Sequence, residues 1–271
     1  MPASDGGWRE AWARVGRAVV AFLALAFAFL LPSDGVAQTT VRIVRGLEAF
    51  HSVTVARGIN MTLVMNDEVD KLPADVAAKL LGKKGLTASP LAPTCVVRAE
   101  PSVARAVDCA VENGCLTISA GTFKYRKTKR IDVYVVCDST LSLIHGTSGS
   151  NIWTRGCLRL GDVSVLADFA MEVHITANAS SMSLVAANRS YVWLTGTLGS
   201  LHCTLKAASS LNMRKKMCAR ANVTAQGESR AEVSATEALD INATKGSSVR
   251  YFAPGARVSQ STDQTSWAVA L

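Results

Sequence analysis

Aromatic residues are scarce in this 271-residue chain, at 6%, and charged residues reach only 18%. So little charge beside a hydrophobic fraction of 49% excludes an intrinsically disordered chain. Seven cysteines are too few for a small scaffold held together by disulfides. There is no EF-hand loop, P-loop, Rossmann fingerprint or G-x-S-x-G elbow, which removes the best-marked calcium, nucleotide and hydrolase sites. What is abundant is Ala, Ser, Thr and Val, with 19 Gly, a composition suited to short repetitive strands.

One long apolar run stands near the start. Arg9, Arg14 and Arg17 precede Ala18 to Leu31, and Gly35 and Ala37 sit at the −3 and −1 positions of a cleavage before Gln38. This order predicts a secretory signal peptide over residues 1–37, cleaved after Ala37. The run is shorter than the ~20 residues a spanning helix needs. A retained signal anchor is the alternative, and an uncleaved leader would be the one membrane contact. The last residues, Trp267 to Leu271, are too few for a GPI tail signal. The leader removes Asp5, Glu10 and Asp34 along with its three Arg, so residues 38–271 keep the formal net charge of +8.

Export changes the reading of cysteine and asparagine. All seven Cys follow the leader, and Cys95, Cys109 and Cys115 cluster as candidates for an internal disulfide. Their spacing fits no standard zinc pattern, so no metal or cofactor is expected. Five sequons, at Asn60, Asn178, Asn188, Asn222 and Asn242, are possible N-glycosylation sites. The competing reading is that polar turns and outward strand faces simply alternate Asn, Ser and Thr.

From Thr147 the chain repeats itself. Blocks beginning at 147, 168, 188, 208, 227 and 246 each carry a polar or Gly-containing opening, an alternating strand, a turn and a second strand. Alternation is plain in Met171/Val173/Ile175, Leu201/Cys203/Leu205 and Leu239/Ile241/Ala243. A strand has a side-chain period of two, so one block cannot cover its own apolar face, and stacking the blocks buries it. A period near 20 residues without a helix-length pattern predicts an all-β solenoid, in preference to a sandwich of short strands.

Before the repeats, Phe50, Val53 and Val55 mark one strand and Ile59 to Met65 another, with Gly58 between them as a turn. Residues 66–94 form an irregular insertion within the single domain 38–271, with a short helix expected over Asp75 to Leu81. Strand signals return at Cys95–Arg98, Leu116–Ser119 and Ile131–Val136.

The ordered set Phe50-x-x-Val53-x-Val55-x-x-Gly58-Ile59-Asn60-Met61-Thr62-Leu63, Val111 to Ile118, and Ile131-x-Val133-Tyr134-Val135 followed by Leu141 resembles the putative auto-transporter adhesin, head GIN domain family. Thr147-Ser148-Gly149-Ser150 is similar to that family's recurring Ser-Gly-Ser turns, which degrade in later repeats here. The resemblance covers about residues 42–252 and implies an exported, right-handed parallel β-helix without an established biochemical activity.

Little in the chain points to catalysis. His174 and Glu172 should share an outer face, as should His202, Thr204 and Lys206; His174 and His202 lie close enough in rung number to approach each other. Neither brings a nucleophile geometry. The acids of the repeats (Asp162, Asp168, Glu172, Glu228, Glu232, Glu237 and Asp240) look scattered, against the clustered carboxylates that glycan-cleaving enzymes on this scaffold need. Two basic clusters, Lys124, Arg126, Lys127, Lys129 and Arg130, and Arg214, Lys215 and Lys216, are candidates for an anionic ligand such as a sulfated glycan or lipid headgroup. A solvated hairpin loop that merely blocks edge association is the simpler reading of them. Nucleic acid is not expected, because the predicted export and the lack of an aromatic stacking surface in the sequence both argue against it. The resulting expectation is a secreted or cell-surface, non-catalytic binding module for surface glycans or another anionic surface. A carbohydrate-active enzyme and a purely structural envelope protein are the alternatives.

Overall fold

The computed structural model describes residues 39–44, 47–81, 93–121, 130–213 and 218–271. The expected leader lies outside them. Residues 39–271 form one compact unit, a β-solenoid of about 7 turns. No helix among the described residues is long and apolar enough to cross a membrane.

Each turn adds one segment to each of two walls of parallel strands. The first wall runs β7 (Asp132–Cys137), β3 (Asn60–Met65), β9 (Asn151–Arg155), then the leading halves of β11 (Glu172–Ala186) and β12 (Tyr191–Leu205). It continues through β13 (Ser210–Asn212), the leading half of β15 (Arg230–Thr244), β16 (Ser248–Phe252) and β18 (Trp267–Ala270). The second wall runs β6 (Cys115–Ala120), β2 (Ser52–Val55), β8 (Leu143–Gly146), β10 (Leu158–Ala167) and the trailing halves of β11 and β12. It ends with β14 (Cys218–Gln226), the trailing half of β15, and β17 (Arg257–Thr262).

The predicted alternation is what fills the interior. Val173, Ile175, Leu184 and Ala186 on β11 are buried, as are Val192, Leu194, Cys203 and Leu205 on β12. Each fully buried branched aliphatic side chain contributes about 1.5–3 kcal/mol. The final described rung differs: where Leu239, Ile241 and Ala243 face inward, their partners on β17 are Val258, Gln260 and Thr262. Gln260 and Thr262 tolerate water on this uncovered rung, while Val258 remains an exposed apolar side chain.

The amino-terminal end departs from simple winding. β2 and β3 precede β6 and β7 in sequence, yet they lie between that pair and β8 and β9 in the stack. Antiparallel strands finish this end: β4 (Thr94–Ala99) on β7, β1 (Thr40–Val44) on β4, and β5 (Val107–Glu112) on β6. The sequence pattern had shown neither β1 nor β5 as a separate strand. The insertion is more ordered than expected, holding a 3-10 turn at Asn66–Lys71 and the helix α1 (Ala74–Leu81). Val69, Leu72, Val76, Ala77 and Leu80 pack on Val64, Val96, Tyr134 and Val136, the outward residues of β3, β4 and β7, as a second small core.

The blocks open on a shared turn. Arg57-Gly58, Ser148-Gly149, Phe169-Ala170, Asn188-Arg189, Ala207-Ala208, Gly227-Glu228 and Lys245-Gly246 each place two successive residues at positive φ. Phe169-Ala170 and Ala207-Ala208 do this without glycine, so the degraded motifs keep the geometry of the Ser-Gly-Ser turns. Hydrogen bonds between rungs hold them: Gly149 N to Phe169 O is 2.9 Å, Ala170 N to Asn188 O 2.9 Å, and Ala208 N to Gly227 O 2.7 Å. Behind the turns runs a column of buried serines. Ser190 N donates to Ser209 Oγ (3.2 Å), Ser229 N to Ser247 Oγ (3.2 Å) and Ser247 N to Ser266 Oγ (3.1 Å).

Met171 interrupts this column. Its side chain fills the space over Gly146, where a Cβ would lie 2.1 Å from the Met171 Cε. Ser150, one rung below, is left with the single partnerless buried side-chain polar atom among the described residues. Two serine substitutions should therefore behave oppositely. Ser247→Ala strips the acceptor from the buried Ser229 N–H and should cost about 1–3 kcal/mol in chemical denaturation. Ser150→Ala removes a hydroxyl that has no partner, and should leave the denaturation midpoint unchanged or raise it.

Candidate binding face

Parallel strands in register stack equivalent residues about 4.8 Å apart, so outward side chains form columns along the solenoid axis. On the first wall one column reads Asp132, Asn60, Asn151, Glu172, Tyr191, Ser210, Arg230, Ser248, Trp267. The neighbouring column reads Tyr134, Thr62, Trp153, His174, Trp193, Asn212, Glu232, Arg250, Val269. The insertion buries Tyr134, at the head of the second column. Three of the five tryptophans, Trp153, Trp193 and Trp267, lie in these columns; the other two precede residue 38.

Planar rings on consecutive rungs pack against each other, one pair face to face and the next tilted by 35°. Trp153 and His174 stack with centroids 4.0 Å apart and planes 11° apart, and His174 meets Trp193 at 4.2 Å. Tyr191 closes the series, tilted 57° against Trp193 at 4.3 Å. Glu172 Oε1 lies 2.9 Å from His174 Nε2 and anchors the imidazole in the stack. Trp153, His174 and Trp193 spend their faces on one another, which makes the column a rigid rib, whereas the tilted Tyr191 keeps much of its ring exposed. The expected lack of an aromatic surface is thereby corrected. Aromatics are few in number but the register gathers them, and aligning the blocks puts Trp153 and His174 at the seventh position and Trp193 one place earlier.

Beyond the rib the face opens into a groove of about 840 Å³. Tyr191 stands at one end and Trp267 at the other, and Ser210, Asn212, Arg230, Glu232, Ser248 and Arg250 line it between them. Tyr191 is 39% exposed and Trp267 45%, large values for such rings. Arg250 lies over the Trp267 ring, its guanidinium carbon 6.0 Å from the centroid, and pairs with Glu232 at 3.7 Å. Glu228 also borders the groove, so two of the acids that look scattered in sequence share one site.

The remaining candidates fall elsewhere. His202 sits on the trailing half of β12, opposite Ser183 and Asn222 on the second wall, so it does not approach His174. Among the described residues no three His, Cys, Asp or Glu side chains form a metal ligand set. Lys124, Arg126, Lys127, Lys129, Arg214, Lys215 and Lys216 lie outside the described residues. Arg130 is described and is ion-paired with Asp132 at 2.7 Å. Of the sequons, Asn60 is half-buried in an amide ladder, donating to Asp132 Oδ1 (3.2 Å) and accepting from Asn151 (2.9 Å). Asn178, Asn188, Asn222 and Asn242 are exposed.

The cysteines are unpaired thiols. Cys95 Sγ and Cys109 Sγ stand 2.9 Å apart in the core, whereas Cys115 contacts Thr54 Oγ1 at 3.7 Å. The hydrogen bond between the paired thiols raises Cys95 and lowers Cys109. Burial pushes Cys137 up to about 12, Cys218 to about 11, and Cys203 higher still. Since thiolate is the reactive form, these three should be inert at pH 8 until the protein unfolds. Half-exposed Cys115 and Cys157 should label first in the native protein, as peptide mapping after a timed thiol-reagent pulse would show.

The fold recurs in solved bacterial proteins. A putative adhesin from Bacteroides fragilis superposes with a TM-score of 0.67 at 12% identity, over 89% of this chain and 99% of that one. A putative adhesin from Parabacteroides distasonis gives 0.61 at 13% identity, covering 87% and 97%. A putative lipid binding protein from the same species gives 0.58 at 12% identity, covering 87% and 98%. No curated protein matches the sequence. The profile of the putative auto-transporter adhesin, head GIN domain matches residues 86–254, well over half of the chain, and the protein belongs to that family.

Proposed function

We propose that this protein is an exported, non-catalytic adhesion module, secreted or held at a cell surface, whose binding face is the outer side of the first wall. The observation that carries the reading is the groove between Tyr191 and Trp267. A rigid solenoid supports exposed aromatic rings there beside polar side chains with no covering segment among the described residues. Adhesin-like family membership and the predicted leader support export. A site that holds a partner by contact needs preformed shape and anchored side chains. The rib and the Glu232–Arg250 pair supply both.

Purified protein should coat intact bacterial or epithelial cells, measured by flow cytometry. Ser210→Arg with Ser248→Arg, which crowds the groove floor, should cut bound protein at least tenfold. Ser183→Arg, exposed on the second wall, should leave it unchanged. Equal adherence of all three proteins would overturn the assignment of the face. Cleavage of surface polysaccharide during the incubation would overturn the non-catalytic reading.

A further inference from the structure

We infer that the groove takes an uncharged pyranose oligosaccharide, laid along the solenoid axis between Tyr191 and Trp267. This rests on the proposed binding face and names its ligand class. A pyranose ring has an apolar C–H face and a rim of hydroxyls. The C–H face packs on an electron-rich aromatic face, and the rim needs donors and acceptors held in fixed directions. The groove offers that combination: a ring at each end, with hydroxyl, carboxamide, carboxylate and guanidinium groups between them.

Charge and topology remove the main competitors. Glu228 and Glu232 balance Arg230 and Arg250, so the groove gives a polyanion no net attraction. Arg250 is already committed to Glu232 and Trp267. A peptide would bind such a fold by adding a strand to a free edge. Here the floor strands β13, β15 and β16 are paired on both sides. β18, paired with β16 alone among the described strands, turns its open edge away from the groove floor at the Trp267 end. An added strand would therefore extend the wall and leave the groove unfilled. Four rung steps separate Tyr191 from Trp267, about 19 Å at the usual strand spacing, the span of a short oligosaccharide.

The test treats the adhering cells in two ways before the full-length protein is added. Periodate, which opens vicinal diols, should reduce binding at least tenfold, and proteinase K should not. Tyr191→Ala with Trp267→Ala should lose the same factor on untreated cells, while circular dichroism remains unchanged. Ser183→Arg, on the second wall and away from both the groove and the rib, should retain binding. Adherence that survives periodate but depends on Ser210 and Ser248 would overturn the glycan assignment and leave the adhesion reading standing. Adherence indifferent to every groove substitution would overturn both.

A separate observation carries a second inference. We propose that Cys95 and Cys109 form a disulfide that ties the antiparallel end strands β4 and β5 together. Their sulfurs already touch at 2.9 Å in the core, and these two strands share no backbone pairing. With oxidised glutathione as oxidant, the two thiols give up two electrons and two protons. One S–S bond forms, the glutathione disulfide breaks, and two reduced glutathiones leave. Full-length protein incubated with oxidised glutathione, then unfolded and digested without reductant, should yield a linked 95–109 peptide and at most five titratable thiols, with any glutathione carried on half-exposed Cys115 and Cys157. Its Tm should exceed that of the reduced protein. Seven thiols, or a peptide cross-link involving Cys115, would overturn the proposal.

Discussion

The whole molecule depends on a two-residue left-handed turn that stacks on copies of itself. Positive φ at a residue with a Cβ costs about 1–2 kcal/mol, and Phe169-Ala170 and Ala207-Ala208 incur that cost twice each. The stack tolerates it because each turn's N–H donates to the carbonyl of the next turn. A turn that left this conformation would strand a hydrogen bond on both neighbours. The buried serines behind the turns extend the same logic to side chains. At Met171, where the column breaks, apolar filling over Gly146 takes the place of the missing hydroxyl.

Fixing the turn fixes the register, and register is what creates the binding face. With the strands locked in step, residues some 19–21 positions apart become neighbours. Stacked rings then stiffen one stretch of the first wall, while small hydroxyl residues on the next rungs hollow out a groove. The insertion covers the same wall nearer the amino terminus, packing against Val64, Val96 and Tyr134. Asp67 and Glu68 pair with Arg159, which fastens the insertion's edge to β10. The wall is thus divided into a covered end and an open end, each using outward side chains for a different purpose.

Much of the scaffold was legible because strand alternation is local. Val173 and Ile175, or Leu239 and Ile241, announce a buried face without knowledge of their partners. The turns were legible where Gly marked them and obscure at Phe169-Ala170, since nothing in that dipeptide favours positive φ. The placement of β2 and β3 between later strands left no trace in the sequence, because pairing order along the axis is a long-range property. β5 was hidden for a similar reason: its outward Asp108 and partly covered Ala110 and Val111 alternate too weakly to stand out. The rib and the groove were missed when aromatics and acids were counted along the chain, although the block alignment already placed Trp153, His174 and Trp193 within one position of each other.

Sequence by itself determined the repeat length, the solenoid class, the family and the set of inward residues. Each of these follows from short-range periodicity and from the need to bury one side of every strand. Tertiary structure alone decided which outward residues meet, which end of the wall is covered, and which cysteines touch. Those are contacts between residues far apart in the chain. They exist only once the stacked turns have set the register, and a single-residue slip would turn every one of those side chains to the opposite face.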